Sequence, residues 1–567
     1  MGHHHPHGHG HGHHSHDEAS IEPSQVLDSE IPDSELAPAD VSRRSLLRGA
    51  GLLGAGAAAS VLGSATTPAP AAAAPDTSGV ARKGGYLWLA GDHHIHTQYS
   101  PDGVYRVIDQ VRHANAYGLD WMVITDHGTV QHAKIGVEKV NPDIRNARDE
   151  IRDTLVFQGL EWNIPGAEHG TVFVHPGKNE VGVLRQFEND YDGTVKNAKE
   201  GTPANEALAI AGLNFLADAV RRKQVEDAMF FANHPARQGI DSPHEIRGWR
   251  DAAPRIALGF EGAPGHQAAG LPKPLGPGSG RGSYNASPGT QSFPGYPLES
   301  YRTWGGFDWM TATVGGLWDS LLAEGKPWWI TANSDCHSVY ADTATRGPGS
   351  DFNNNGFYND PVYGGAINTG NNDYWPGFYS RTNVGSSAAT YAAVMAGLRA
   401  GRVWVDHGRL INGIDAQVRP SSGGPGVTLG GVLQVKRGTK VQLDVTVDLA
   451  TTPNWAQFVA KLARVDVIQG DVTGSVKDRD TLTAPNTKVV KSYEVTAGKT
   501  SLRFTYDLGA VDGPVYLRLR GTDGNRSAAG YHGADVDPHG PGMDVVGDAD
   551  PWIDLWFYTN PIWVLTQ

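Results

Sequence analysis

The chain reads as an α/β protein in which a closed or nearly closed barrel of parallel strands precedes an antiparallel β-sandwich. Three observations predict this. Short apolar runs alternate with amphipathic helical stretches from residue 86 to about 405. The pattern switches to period-two strands after residue 408, and histidines and carboxylates gather at one end of the apolar runs.

The barrel runs fall at residues 86–90, 121–125, 155–160, 171–174, 228–232, 256–260 and 328–331. Helical periodicity occupies 104–117, 204–222 and 309–324. Strand-helix alternation implies parallel strands, and seven of them suggest a closed or nearly closed barrel. Two Gly/Pro/Asn-rich stretches, 263–297 and 338–377, are too long for plain connections and are expected to border the active-site face. Beyond residue 408, strands are expected at 427–435, 441–447, 461–469, 489–495, 500–506 and 515–520, with Gly, Asp, Asn and Thr between them. That is the signature of a sandwich. The aromatic tail 552–564 is expected to pack back on the barrel.

Five segments follow: 1–41, 42–75, a barrel over 76–410, a sandwich over 411–545, and a closing segment 546–567 packed on barrel or sandwich. Residues 1–41 are acidic and His-rich. Nine of the 24 histidines lie in HHHPHGHGHGHHSH, which reads either as a disordered metal-binding tract or as an expression tag. Neither alternative makes it part of the active site. Residues 42–75 resemble a twin-arginine export signal, with Arg43 and Arg44 in SRRSLL, a weakly apolar run over 49–63 and small residues up to Pro75. That run is too short for a confident membrane span. The route carries folded proteins, and the resemblance implies export to an extracellular, periplasmic or cell-surface location.

The balance of 39% hydrophobic and 19% charged residues is that of a globular protein, and 72 Gly with 35 Pro fits long ordered loops and a β-rich portion. A formal charge of −14 argues against a nucleic-acid polymer as the main partner. A small phosphorylated substrate remains open, because a local metal cluster can outweigh the global field. The single cysteine, Cys336, can build neither a disulfide nor a thiolate zinc site. Cys336 is expected to be a small buried residue. There is no P-loop and no G-x-S-x-G elbow.

The chemistry sits just after the predicted strands or within their last residues. His94 and His96 follow the first run, Asp126 and His127 the second, Glu161 the third, His234 the run at 228–232, and Asp335 with His337 the last. In a parallel barrel these ends converge on one face. In an extended segment residues i and i+2 point the same way, so His94/His96 and Asp335/His337 can each aim two ligands at one cluster. Imidazoles and carboxylates without thiolate favour two or three divalent ions of zinc, manganese or iron. His93, His113 and His132 have the wrong spacing or lie on a helix.

The strings GDHHIHTQYSPDG, VITDHG, GLEW, EHGTVFV, NHP and TANSDCH resemble, in order, the successive motifs of the PHP (polymerase and histidinol phosphatase) family over roughly residues 86–410. The stretch 381–408, with RTNV and LRAGRVWVDHG, resembles a branch of carbamate- and ester-cleaving metallohydrolases. The family resemblance implies a distorted seven-stranded (β/α) barrel with up to three metals. By position, the first would be held by His94, His96, Glu161 and Asp335. Glu161 would bridge to a second on His169 and His234, with His175 as the alternative to His169, since Glu168 stands where the motif has Gly. The third would lie between Asp102, His127 and His337. Asp126 is expected to orient a ligand imidazole.

Metal-bound water with a pKa near 7 would attack a small phosphate ester. Arg237 would bind a phosphate oxygen, or else form a surface salt bridge. Lys134 and Arg381 are weaker candidates for that task. Cleavage of a carboxylic ester or carbamate is the alternative reaction. A secreted metal scavenger, or a protein whose sandwich grips a surface, is the alternative outside catalysis. Nothing in the sequence sets an oligomeric state.

Overall fold

The computed structural model describes residues 82–271, 273–278, 288–301, 303–524 and 554–567. The His-rich tract and the twin-arginine motif lie outside these residues.

Each of the seven apolar runs forms a strand: β1 Tyr86–Asp92, β2 Trp121–Ile124, β3 Leu155–Asn163, β4 His169–Val174, β5 Ala228–Ala232, β6 Ala257–Ala263 and β7 Trp329–Ala332. Their apolar residues run continuously because they are buried on both faces. Hydrogen-bonded neighbours follow the order β1-β2-β3-β4-β5-β6-β7. The expectation of an all-parallel set needs correction. β4 runs antiparallel to both β3 and β5, whereas β1/β2, β2/β3, β5/β6 and β6/β7 are parallel. Only residues 164–168 separate β3 from β4. A parallel crossover needs a dozen or more residues, so so short a link forces a hairpin.

β1 and β7 approach each other at one rim through a parallel bridge between Ile95 and Cys336. There His96 N–H donates to Cys336 O at 3.0 Å and Asp335 N–H donates to His94 O at 3.0 Å. β8 (Ser380–Ser386) pairs antiparallel with β1 and also reaches β7, where Ala332 N–H donates to Thr382 Oγ1 at 2.8 Å.

The helices packed around these strands are α1 Val107–Ala116, α2 His132–Glu150, α3 Glu180–Tyr191, α4 Pro203–Arg221, α5 Pro243–Ala252, α6 Leu317–Ala323 and α7 Tyr391–Arg399. α4 and α5 start on Thr202 and Ser242 caps followed by proline, and Glu245 completes a capping box for α5. The predicted helix over 309–324 splits into Trp309–Ala312 and α6. Gly315 takes a φ of 74°, and its N–H donates to the Asp319 carboxylate at 2.7 Å.

Beyond β9 (Val403–His407), strands β10 Ile411–Pro420, β12 Thr439–Leu449 and β15 Ser501–Val511 form one antiparallel sheet, while β11 Val432–Val435 lies outside it. Facing it are β13 Arg464–Asp471, β14 Lys488–Glu494, β16 Val515–Thr522, β17 Trp556–Thr559 and β18 Ile562–Thr566, with β11 parallel to β18. Ile414, Val418, Leu443 and Val445 of the first sheet share one buried cluster with Val467, Leu517, Leu519 and Val564 of the second. The expected strand at 427–435 shrinks to β11. Gly430, at φ 73°, passes so close to the Ala400 carbonyl that a Cβ would lie 1.8 Å from it, and the chain must turn there.

The tail supplies a strand of its own: β17 pairs with both β9 and β16. One mixed sheet therefore runs from β7 through β1, β8, β9 and β17 to β14. A buried Arg518–Asp319 pair at 2.7 Å fastens β16 to α6. Among the described residues no helix is long and apolar enough to cross a membrane.

Candidate metal centre

The rim where β1 meets β7 is fixed before any ligand is placed. Buried Asp92 accepts from His94 N–H at 3.0 Å and Ser334 N–H at 2.9 Å, tying the two strand exits together. Burial pushes its carboxyl up to about 7, against the pull of those hydrogen bonds. Ile95 and Cys336 bridge backbone to backbone. Their flanking neighbours His94, His96, Asp335 and His337 thus face the opposite way, into the cluster. His234 and Asp335 hold left-handed φ values of 30° and 50°. Such conformations cost on the order of 1–3 kcal/mol each and persist where the surroundings impose them.

Glu161, at the end of β3, is the hub. Its Oε1 lies 3.0 Å from His94 Nε2, 3.2 Å from His234 Nε2 and 3.3 Å from His169 Nδ1. Its Oε2 lies 2.9 Å from His127 Nδ1 and 3.3 Å from His96 Nε2. Asp335 Oδ1 stands 3.1 Å from His94 Nε2 and 3.2 Å from His96 Nε2, and those two nitrogens are 3.1 Å apart. Asp102 Oδ2 is 3.1 Å from His127 Nε2 and 3.5 Å from His337 Nε2.

Two neighbouring ligand atoms on one divalent ion at about 2.0–2.1 Å sit about 2.8–3.4 Å apart at octahedral or tetrahedral angles. The contacts of His94 and His96 with Glu161, and of both with Asp335, match that spacing, and acceptor atoms held so close together are satisfied by a cation. Among the described residues His169 Nδ1 is buried without a hydrogen-bond partner, as a nitrogen reserved for a metal would be. The residues fit the group that the sequence implies.

The electrostatics agree. Burial alone would lower His94, but Asp335, Glu161 and Glu261 hold it well above its ordinary value. His127, against the same burial penalty, is raised to about 10 by Glu161 and Asp102. Burial would raise Glu161, yet His127, His94 and His169 hold it well below the carboxylate range. The cluster favours bound positive charge, so metal binding would displace protons from it.

All nine predicted ligands, His94, His96, Asp102, His127, Glu161, His169, His234, Asp335 and His337, come together in overlapping groups. His175 does not: it lies at the far end of β4, bonded to Pro176 O and 3.5 Å from Glu226. Asp126 differs from expectation, because Thr97 rather than an imidazole takes its oxygens, through N–H at 2.6 Å and Oγ1 at 2.9 Å. It braces the turn between His96 and Asp102. Arg237 is held by buried Glu168 at 3.1 Å, at the edge of the Glu168/His169/His234 group rather than in a surface pair. Arg381 is engaged by Asp406 at 2.8 Å, and Lys134 is exposed on α2. His93, His113 and His132 contact Thr331, Trp375 and Glu188.

Sequence reasoning missed several neighbours. Glu261, at the end of β6, accepts from His94 Nδ1 at 2.8 Å and from His234 N–H at 2.8 Å, fixing which His94 nitrogen faces the cluster. It obeys the same strand-end rule and could have been found by it. Ser100 Oγ lies 3.0 Å from His96 Nδ1 and donates to Asp102 at 2.7 Å. His266 and Asp373, 2.5 Å apart, come from the two long loops. They flank Asp335 and His337 at 3.6 Å each.

Residues 92–206 match the PHP domain family. Six of the nine clustered residues, His94 to His169, lie inside the match, and the fold adds His234, Asp335 and His337. No curated protein matches the chain in sequence. A solved structure from Bacteroides vulgatus, of a two-domain protein containing a predicted PHP-like metal-dependent phosphoesterase, is 13% identical. The alignment covers 84% of this chain and 98% of that one, with a TM-score of 0.30.

Proposed function

We propose that the chain is an exported metal-dependent phosphoesterase, with two or three zinc, manganese or iron ions in a PHP-type seven-stranded barrel, acting on small phosphate esters. One observation carries the reading. A single buried carboxylate, Glu161, contacts imidazoles from every ligand set within 3.3 Å. Bound divalent ions supply an activated water near neutral pH and offset charge on the phosphoryl oxygens.

The protein's own groups do the rest. His94, His96 and Asp335 with Glu161 would hold the first ion, His169 and His234 with Glu161 the second, and Asp102, His127 and His337 the third. Glu261 and Ser100 pin His94 and His96 so that each presents Nε2. Arg237, braced by Glu168, stands where it can bind a non-bridging phosphate oxygen beside His234.

The test is a panel of aryl phosphate monoesters and diesters beside aryl carbamates and carboxylic esters, with protein loaded with zinc or manganese. Phosphate-ester turnover is expected, lost together with metal in His94→Ala and Asp335→Ala. Turnover confined to carbamates or carboxylic esters would overturn the substrate class. Full turnover and full metal in either variant would overturn the site.

A further inference from the structure

We propose that Arg346 recognises an anionic substituent on the leaving group of the ester, so that the preferred substrate carries a second negative charge beyond the scissile phosphate. This rests on the phosphoesterase reading and adds a specificity residue to it. Arg346 lies in the loop 338–377, and its Nη2 donates to Pro101 O at 2.7 Å. Pro101 directly precedes Asp102, the carboxylate of the third ligand set. The guanidinium is thus anchored one residue from the cluster.

Its placement is braced by its neighbours. The guanidinium carbon sits 3.9 Å over the Tyr358 ring centre. Tyr358 is itself fastened to the same segment: its hydroxyl donates to Pro101 O at 2.6 Å and its N–H to Gln98 O at 2.8 Å. Gln98 Nε2 returns a bond to Tyr358 O at 2.8 Å. Ring and cation are therefore registered against the stretch between His96 and Asp102. A surface arginine ordinarily loses rotamer entropy on engaging an anion, and here much of that ordering is already in place.

Arg346 is exposed and forms no salt bridge among the described residues, in a chain with 61 acidic groups. Arg237, which borders the cluster, is occupied by Glu168, and Arg381, the other arginine singled out in the sequence, is occupied by Asp406. Next to Arg346, Thr345 pairs with Val362, which brings the exposed Val362 and Tyr363 alongside. A pinned cation beside apolar surface fits a leaving group with a hydrocarbon body and a carboxylate or phosphate on it.

The test separates recognition from reaction. The metal-loaded full chain is titrated by calorimetry with 4-carboxybenzylphosphonate and its neutral isostere 4-carbamoylbenzylphosphonate. Turnover of 4-carboxyphenyl phosphate is measured in parallel. Wild type is expected to bind the carboxylate roughly tenfold more tightly than the amide, a preference that Arg346→Gln abolishes and Arg346→Lys retains in part. Equal binding of the two by wild type, or a preference that survives Arg346→Gln, would overturn the proposal. So would an equal loss of both ligands in Arg346→Gln, which would mean that the residue only holds the loop. Binding preference without turnover would leave the recognition role standing and remove the phosphoesterase reading instead.

Discussion

Glu161→Gln tests the architecture at its hub, because the substitution keeps shape and removes one charge. The carboxylate faces His94, His169 and His234 through Oε1 and His96 and His127 through Oε2, all at 2.9–3.3 Å. An amide can offer an oxygen to one side only, and its NH2 then meets the other set as a competing donor. Removing one partner of a buried charge pair costs about 3–5 kcal/mol. At about 1.4 kcal/mol per decade, affinity at the sites that share this carboxylate should fall by two to four orders of magnitude. Metal content per chain after dialysis, read by plasma mass spectrometry with a competing chelator, is the assay. Wild type should retain ions that Glu161→Gln loses. If the variant keeps full stoichiometry with affinity within threefold of wild type, Glu161 bridges nothing and the assignment of the sites collapses.

Loading the stripped protein at pH 7 should release protons, since His127 titrates at about 10 and His94 lies well above its ordinary value. Affinity should therefore climb as pH rises towards 10, and calorimetry in buffers of different ionisation enthalpy would show the release. His169→Gln should lose metal whereas His175→Gln keeps the wild-type content, because only His169 faces Glu161. Asp126→Ala should leave the buried Thr97 N–H unsatisfied, at a cost of about 1–3 kcal/mol in urea unfolding. Glu188, opposing the burial penalty, raises buried His132 above 6.5. The stability from that pair is complete below pH 6.5 and fades as pH rises through the folded value. The unfolding difference between wild type and His132→Gln should shrink accordingly from pH 6 to pH 9.

The seven barrel strands were legible because strands buried on both faces read as unbroken apolar runs, which periodicity detects. β8 and β9 were not, since Ser380–Ser386 carries Ser, Arg, Thr and Asn whose polar groups are satisfied by β1, β7 and Asp406. The rule that ligands follow strands located His94, His127, Glu161, His234 and Asp335. It could not decide between His169 and His175, because an antiparallel strand reaches the shared rim with its beginning. Residue type and spacing thus determined which side chains could bind metal and on which strands they ride. Strand direction, the meeting of the β1 and β7 exits, and the return of the two long loops to bring in His266, Asp373 and Arg346 were decided only by the fold. The contacts between the β1 and β7 exits, and that of Arg346 with Pro101, join residues some 240 positions apart through hydrogen bonds to backbone groups that no local pattern encodes.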